Sequence, residues 1–280
     1  MDAVTVITGG AGGMGLAAAK IVGRRGQVVI ADVSGERLDT ATAELKASGI
    51  VCSAVRCDIT DRDSVAALVE TARAGGSVRS VIHTAGVSPS MGPAESIMRV
   101  NAVGTVNINE AFLPLAGEGF AIVNVASMAA HMLPSILVPA RRFALATRNP
   151  EAFLPAMISA CRIAPPALRP GLAYSISKRF VVWYSAKRAG EFGRRGARIV
   201  SVSPGSIDTD MGRLEKQTGS AAMAEHAALR RFGTAEEVAE VLAFCAGENA
   251  GYLTGVDILC DGGTVASMTL RDKLSAARST

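Results

Sequence analysis

Aromatic side chains are scarce: only 4% of the 280 residues are Phe, Trp or Tyr, while hydrophobic residues overall reach 49%. A core built by this chain is therefore expected to be aliphatic. Nor is there an uncharged apolar run of about 18 residues, the length that a membrane-spanning helix needs. The chain passes from Met1-Asp2 straight into a strand-like VTVIT, without the basic segment and cleavage site of a secretion signal. A cytoplasmic protein with no membrane partner is expected. The five cysteines, Cys52, Cys57, Cys161, Cys245 and Cys260, stand apart in apolar surroundings with no CxxC pair, which argues against a disulfide framework or a zinc site. Buried free thiols and no metal are expected. Charge of one sign is missing too: the net charge of +4 is dispersed, and the pairs Arg24-Arg25, Arg141-Arg142 and Arg194-Arg195 read as helix ends. Nucleic acid is not an expected partner.

What the chain does have is an alternation. Short β-rich runs recur as VTVIT (4–8), VVIADV (28–33), IVCSAVRCD (50–58), SVIHTAG (80–86), AIVNVAS (121–127), RIVSVS (198–203) and VDILCDGG (256–263). Between them lie apolar residues at helical spacing, such as Leu16, Ile21 and Val22, or Val65, Leu68, Val69 and Ala72. Strands that read as continuous apolar runs separated by helices belong to a parallel sheet buried on both faces. The expected fold is α/β, a doubly wound Rossmann-type sheet of about seven strands in one catalytic domain, 1–265, followed by a polar tail, 266–280. The rhythm breaks once. Between Ser127 and Tyr174 a stretch holding seven prolines, from Pro134 to Pro170, reads as short helices with proline stops, a helical insertion over 129–171.

The first strand runs into Thr8-Gly9-Gly10-Ala11-Gly12-Gly13-Met14-Gly15 and an Ala-rich helix. Missing side chains in such a turn let the backbone approach a pyrophosphate, and the helix N-terminus supplies N–H groups and partial positive charge. The loop reads as GxGxxG from Gly10, Gly12 and Gly15, or as TGxxxGxG from Thr8, Gly9, Gly13 and Gly15, and either pattern alone also fits a tight packing turn. Asp32 closes the second strand, where a carboxylate accepts from ribose hydroxyls and repels a 2′-phosphate. The loop holds no Arg or Lys, and Val33 and Ser34 follow Asp32. NAD is the expected cofactor. Asp58, closing the third strand, suits either the adenine amino group or a helix cap.

Tyr174 and Lys178 stand four apart, on one helical face. A phenol titrates near 10 in isolation, so proton exchange near neutrality needs a neighbouring cation, which a lysine one turn away supplies. By itself YxxxK is a common surface pattern. In order along the chain, however, stand TGxxxGxG, Asp32, CDIT, HTAG at 83–86, VNAVG at 100–104, IVNVAS ending at Ser127, YSISK at 174–178, PGSIDT at 204–209, YLTG and DGG. This order resembles the short-chain dehydrogenases/reductases from about Val4 to Gly263. The resemblance implies that Tyr174 is the general acid/base, that Lys178 lowers its pKa and binds the nicotinamide ribose, that Ser127 hydrogen-bonds the substrate oxygen, and that Asn101 holds a water linking Lys178 to solvent. It implies cofactor contacts from Gly9, Gly13, Met14, Gly15, Asp32, Asp58, Ile59, Ala85, Gly86, Tyr174, Lys178, Pro204, Gly205, Ile207 and Thr209. It also implies assembly as a homodimer or homotetramer.

Two departures stand out. Thr84-Ala85-Gly86 replaces the family's Asn-Ala-Gly, with the threonine hydroxyl expected to take over part of the lost bonding. The stretch from Ser127 to Tyr174 is far longer than in ordinary members, although some hydroxysteroid dehydrogenase/carbonyl reductase members carry a similar insertion that serves assembly. Its Met132, Leu133, Ile136, Leu137, Val138, Phe143, Phe153, Leu154, Met157 and Ile158 suggest a substrate wall over the site or a subunit interface. Met211, Leu214 and Met223 suit an adaptable apolar lid. The expected activity is oxidation of a bulky apolar secondary alcohol, such as a steroid or terpenoid, or reduction of the ketone. The alternatives are a silent cofactor-binding or partner-binding member of the same fold, and an epimerase or dehydratase, which normally has a longer C-terminal substrate domain. His83 is read as a strand residue packed near the cofactor and His131 as a loop residue.

Overall fold

The computed structural model describes residues 3–215 and 221–269. All seven strand-like runs form strands, and helices fill the intervals. The order is β1 (Ala3–Thr8), α1 (Gly13–Val22), β2 (Gln27–Asp32), α2 (Gly35–Ala47), β3 (Cys52–Arg56), α3 (Arg62–Gly75), β4 (Ser77–His83), α4 (Ala94–Met98), a π-helical turn (Arg99–Gly104), α5 (Thr105–Phe112) and β5 (Ala121–Val125). After β5 come four helices, α6 (Ala129–Met132), α7 (Ala140–Phe143), α8 (Leu145–Arg148) and α9 (Pro150–Cys161), before the long α10 (Arg169–Gly193). The chain continues through β6 (Arg198–Pro204), β7 (Ile207–Asp208), α11 (Asp210–Glu215), α12 (Ala221–His226), β8 (Gly233–Thr234), α13 (Ala235–Ala246), β9 (Asp257–Cys260) and α14 (Thr264–Ser267). Helix starts follow local chemistry: the Ser34 hydroxyl accepts from Arg37 N, Asp61 caps α3, and Thr234 with Glu237 forms a capping box on α13.

Seven strands pair in parallel in the order β3-β2-β1-β4-β5-β6-β9. Alternate residues bury on opposite faces: Val28 and Ile30 of β2 pack with α1, α2 and α13, while Val29 and Ala31 pack with α3, α5 and the end of α10. The two-residue strands β7 and β8 form a separate pair too short to leave a sequence pattern.

Much of the insertion's apolar surface turns inwards onto its own chain. Phe143, Phe153, Met157 and Cys161 are buried against Ile97 and Met98 of α4 and Phe180 and Tyr184 of α10, within the same chain. Phe180 is enclosed by Phe143 at 5.4 Å, Phe153 at 4.8 Å and Trp183 at 6.0 Å between ring centroids. Phe143, Phe153, Phe180, Trp183 and Tyr184 thus gather in a third core beside the sheet, while Phe112, Phe120 and Phe192 belong to the sheet core, and Ile136, Leu137 and Ile163 of the insertion remain exposed. His131 is not in a loop but in α6, where its Nε2 lies 2.7 Å from the Asp257 carboxylate on β9. Burial alone raises an acid, yet hydrogen bonds from His131 and Ser201 hold the Asp257 carboxyl below its ordinary value. Of the expected polar tail, residues 270–280 lie outside the described residues, as does the Met223 side chain.

Candidate active site

The strand order reverses between β1 and β4, and a groove of about 490 Å³ opens there beyond the strands' C-terminal ends. Gly9, Gly13, Met14 and Gly15 of the glycine loop line it, with Asp32 after β2, Asp58 and Ile59 after β3, Ala85 and Gly86 after β4, and Thr209. The loop requires its glycines. Gly9 has φ of +66°, and a Cβ on Gly15 would collide with the Gly9 carbonyl. Thr84, in place of the family's Asn, donates from Oγ1 to the Thr8 carbonyl at 2.7 Å and so ties β4 to β1. Asp58 Oδ1 accepts from both the backbone and the hydroxyl of Thr60 at 2.8 Å, which makes this carboxylate a turn former as well as a groove residue. A dinucleotide fits these parts: bare backbone at the start of α1 for a pyrophosphate, and a carboxylate at the end of β2 for a ribose.

Pro204, Gly205 and Ile207 are not brought to this groove. Gly205 and Ile207 border a smaller cavity of about 120 Å³ beside Asp261, and Ile207 packs into the sheet core with Val238. The Pro204 carbonyl accepts from Met128 N at 2.8 Å.

None of the four catalytic candidates is among the residues lining the groove, but Asn101 and Lys178 lie beside Gly86, which does line it, and Tyr174 is one turn from Lys178. Lys178 is buried on α10, and its Nζ donates to the Val125 carbonyl at 3.0 Å, pinning that helix to the end of β5 two residues before Ser127. The same Nζ lies 5.9 Å from the Tyr174 ring centroid, one turn earlier on the helix. Burial pushes the Lys178 ammonium down to about 8. Ser127 is half-buried, and its Oγ accepts from Ala129 N at 3.2 Å. A Cβ on Gly86 would stand 3.1 Å from Asn101 Oδ1 and 3.3 Å from Lys178 Nζ, so the bare glycine lets the groove reach both.

Asn101 lies in the π-helical turn, where the extra residue breaks the helical register between α4 and α5. Its Oδ1 accepts from Val87 N, and its Nδ2 donates to Val87 O at 2.9 Å and to Ser177 Oγ at 3.3 Å. Both amide N–H groups are thus spent on protein, joining the loop after β4 to α10. Behind it runs a buried polar chain. Thr8 Oγ1 meets His83 Nδ1 at 2.7 Å, His83 Nε2 meets Thr105 Oγ1 at 3.1 Å, and Thr105 Oγ1 donates to the Asn101 carbonyl at 2.7 Å. Ser177 Oγ donates onward to the Tyr174 carbonyl at 2.8 Å. Burial, and then the Lys178 charge, push the His83 imidazole down to about 3, so it stays neutral.

Two arginines unremarked in the sequence also border the groove. Arg99 pairs with Glu95 at 2.9 Å. Arg37 lies so close over the loop that a Cβ on Gly12 would collide with its guanidinium.

Comparison with known proteins agrees with this geometry. Residues 3–139 match the family model described as short chain dehydrogenase, and residues 156–265 match that of enoyl-(acyl carrier protein) reductase, so the unmatched stretch falls inside the insertion. The short-chain dehydrogenase/reductase bsc3 of Alternaria brassicicola is 33% identical over 96% of this chain and 98% of its own. The 3beta-hydroxysteroid dehydrogenase 2 of Eggerthella lenta is 28% identical, covering 92% of this chain and 93% of its own. The (-)-isopiperitenol/(-)-carveol dehydrogenase of Mentha piperita is 29% identical, covering 93% and 92%. Among solved structures, gox2181 superposes with a TM-score of 0.75 at 24% identity, covering 95% of this chain and 96% of that one. An actinorhodin polyketide ketoreductase with NADPH gives 0.73 at 21%, covering 94% and 97%. With its motifs in family order, its sheet in the matching topology and relatives aligned along nearly its whole length, the chain belongs to the short-chain dehydrogenase/reductase family of oxidoreductases.

Proposed function

We propose that the chain is an NAD(H)-dependent oxidoreductase interconverting a secondary alcohol and a ketone on a bulky apolar molecule of the steroid or terpenoid kind. The observation that carries this reading is the buried Lys178 ammonium one helical turn from Tyr174, beside the groove at Gly86. Bound nicotinamide supplies the hydride in reduction and takes it in oxidation. Tyr174 donates its phenolic proton to the carbonyl oxygen in reduction and removes the hydroxyl proton in oxidation. Lys178 lowers the cost of the phenolate, and Ser127 donates to the substrate oxygen as negative charge develops there. Asn101 keeps the Val87 loop and α10 in register.

Asp32 in the groove supports NAD, since a carboxylate accepts from ribose hydroxyls and repels a 2′-phosphate. Met211 and Leu214 in the groove wall support an apolar substrate, as do the names of the hydroxysteroid and carveol dehydrogenases among the relatives. Five free thiols support a reducing, cytoplasmic setting. Exposed Tyr252, Val256 and Leu259 at or beside the edge strand β9 support assembly as a homodimer or homotetramer. No residue of the insertion lines the groove among the described residues, which disfavours a member silenced by a blocked cofactor site.

The test is NAD reduction, followed by absorbance, over a panel of hydrophobic secondary alcohols including hydroxysteroids and terpene alcohols. Tyr174→Phe is expected to lower turnover by about 10²–10⁴-fold. Turnover persisting in that variant removes the mechanism, and NADH binding without turnover of any alcohol favours the silent reading.

A further inference from the structure

We propose that His131, held by Asp257, is a positioning residue for the reaction: it anchors the helical turn that follows Ser127 and so keeps that hydroxyl in place where the insertion begins. The inference rests on the reading of Ser127 as donor to the substrate oxygen and deepens it.

Ser127 stands where the end of β5 meets the start of the insertion. On the β5 side the backbone is fixed. Ala126 N donates to the Val202 carbonyl at 2.7 Å, Met128 N to the Pro204 carbonyl at 2.8 Å, and Lys178 Nζ to the Val125 carbonyl, two residues before Ser127. On the other side the chain enters α6 at once. Ala129 N donates to Ser127 Oγ at 3.2 Å and Ala130 N to the Ser127 carbonyl at 3.0 Å, so the setting of the hydroxyl is tied to the first residues of this helix. A single helical turn has no stability of its own and depends on what it packs and bonds to. The sequence of α6, Ala-Ala-His-Met, offers one polar side chain, that of His131. Its Nε2 lies 2.7 Å from Asp257 Oδ2 on β9, and the other oxygen of that carboxylate accepts from Ser201 Oγ on β6 at 2.5 Å. A carboxylate only accepts, so the imidazole donates. Exposure of 24% for the His131 side chain and 8% for that of Asp257 shelters the bond from the screening that weakens surface pairs.

The insertion is what makes such an anchor necessary. Beyond α6 the chain runs through exposed Ser135, Ile136 and Leu137 before Phe143 enters the insertion's own core. Any displacement there reaches Ser127 through one helical turn unless that turn is held to the sheet. Asp257 is fixed opposite Ser201 in the register of β9 against β6, so the bond from His131 fastens α6 one strand beyond the β6 carbonyls that hold Ala126 and Met128. Misplacing by about 1 Å a donor that must meet a developing charge is enough to lower turnover by about 10²-fold.

The experiment is a double-mutant cycle on turnover of an alcohol at saturating NAD, in wild type, His131→Ala, Ser127→Ala and the two combined, with NADH affinity read by nicotinamide fluorescence. His131→Ala is expected to lower kcat by about 10- to 10²-fold. NADH affinity is expected to change by less than about twofold, because His131 does not line the groove. In the Ser127→Ala background the same substitution is expected to cost less than about threefold, since the group it positions is gone. His131→Gln, whose amide still donates to a carboxylate, is expected to recover most of kcat. Equal losses from His131→Ala with and without Ser127 overturn the proposal, as do an unchanged kcat and a His131→Gln variant no better than His131→Ala. Where His131→Ala does not fold, His131→Leu combined with Asp257→Asn, which leaves no buried charge unpaired, takes its place in the cycle with the same two outcomes. Wild type inactive on every alcohol overturns the oxidoreductase reading and with it the role of Ser127, a result distinct from equal losses in an active enzyme.

Discussion

Lys178 owes its chemistry to where its ammonium is kept. Burial lowers its pKa from 10.5 to about 8, which leaves it charged at neutral pH, the state in which the proposed mechanism has it stabilise a phenolate at Tyr174. Above pH 8 that charge is lost, so kcat/KM is expected to decline on the alkaline side with an apparent pKa near 8, read from a pH–rate profile. Stability moves the other way. The folded state disfavours the charged amine, and between about 8 and 10.5 the unfolded chain binds the extra proton. The contribution of Lys178 to stability is therefore least favourable below pH 8 and improves as pH rises to 10.5. Denaturant titrations across that window, with Lys178→Met as control, are expected to show the gain in wild type only. Equal pH dependence in the two proteins would remove Lys178 as its source. At this scale the sequence proposes Asn101, Ser127, Tyr174 and Lys178 because their motifs occur in order, and the structure brings Asn101 and Lys178 beside Gly86. The sequence was silent on Arg37, because the approach of that side chain to Gly12 arises only when α2 starts at once after β2.

Helix α10 is the element on which the site depends, and the insertion is what covers it. Phe153 of α9 packs 4.8 Å from Phe180, one helical face away from the residues that carry the chemistry. Phe153→Ala is expected to cost about 3–5 kcal/mol in a denaturant titration through loss of transfer energy and the cavity left behind, with NADH affinity retained because Phe153 does not line the groove. An unchanged midpoint would mean that α9 does not cover α10. The seven strands were readable in advance because a strand buried on both faces is a continuous apolar run bounded by polar turns. The seat of the insertion was not readable. An apolar helix face looks the same whether it meets substrate, a second subunit or its own chain, and the residues that decide, Ile97 and Phe180, lie far away in sequence. The π-helical turn at Asn101 was hidden for a related reason, since a single extra residue leaves the helical pattern on either side intact.

For the whole molecule, a seven-stranded open sheet leaves two edges, β3 and β9. The β9 side bears exposed Tyr252, Val256 and Leu259, while His131 fastens the start of the insertion to Asp257 on the same strand. Sedimentation velocity is expected to give a dimer or tetramer, with Leu259→Glu shifting the population towards monomer. A wild-type monomer at micromolar concentration would remove the assembly from the proposal. Among the described residues no helix is long and apolar enough to cross a membrane.

The chain of polar groups from Thr8 to Tyr174 has a direction. Because the Thr105 hydroxyl gives its proton to the Asn101 carbonyl, it can only accept from His83, and the network assigns the imidazole proton to Nε2. Nδ1 then accepts from Thr8, and beyond Asn101 the donors continue through Ser177 to Tyr174 with the same sense. Every link points from the end of β1 towards α10, with the step at Asn101 passing from its backbone carbonyl to its side-chain amide. A second proton on His83 would make Nδ1 a donor and require the Thr8 hydroxyl to turn and accept, reversing the first link. These buried hydrogen bonds tie the end of β1 to the backbone under Tyr174 and fit one tautomer of the imidazole, so the proton on His83 is set by the same packing that sets the sheet.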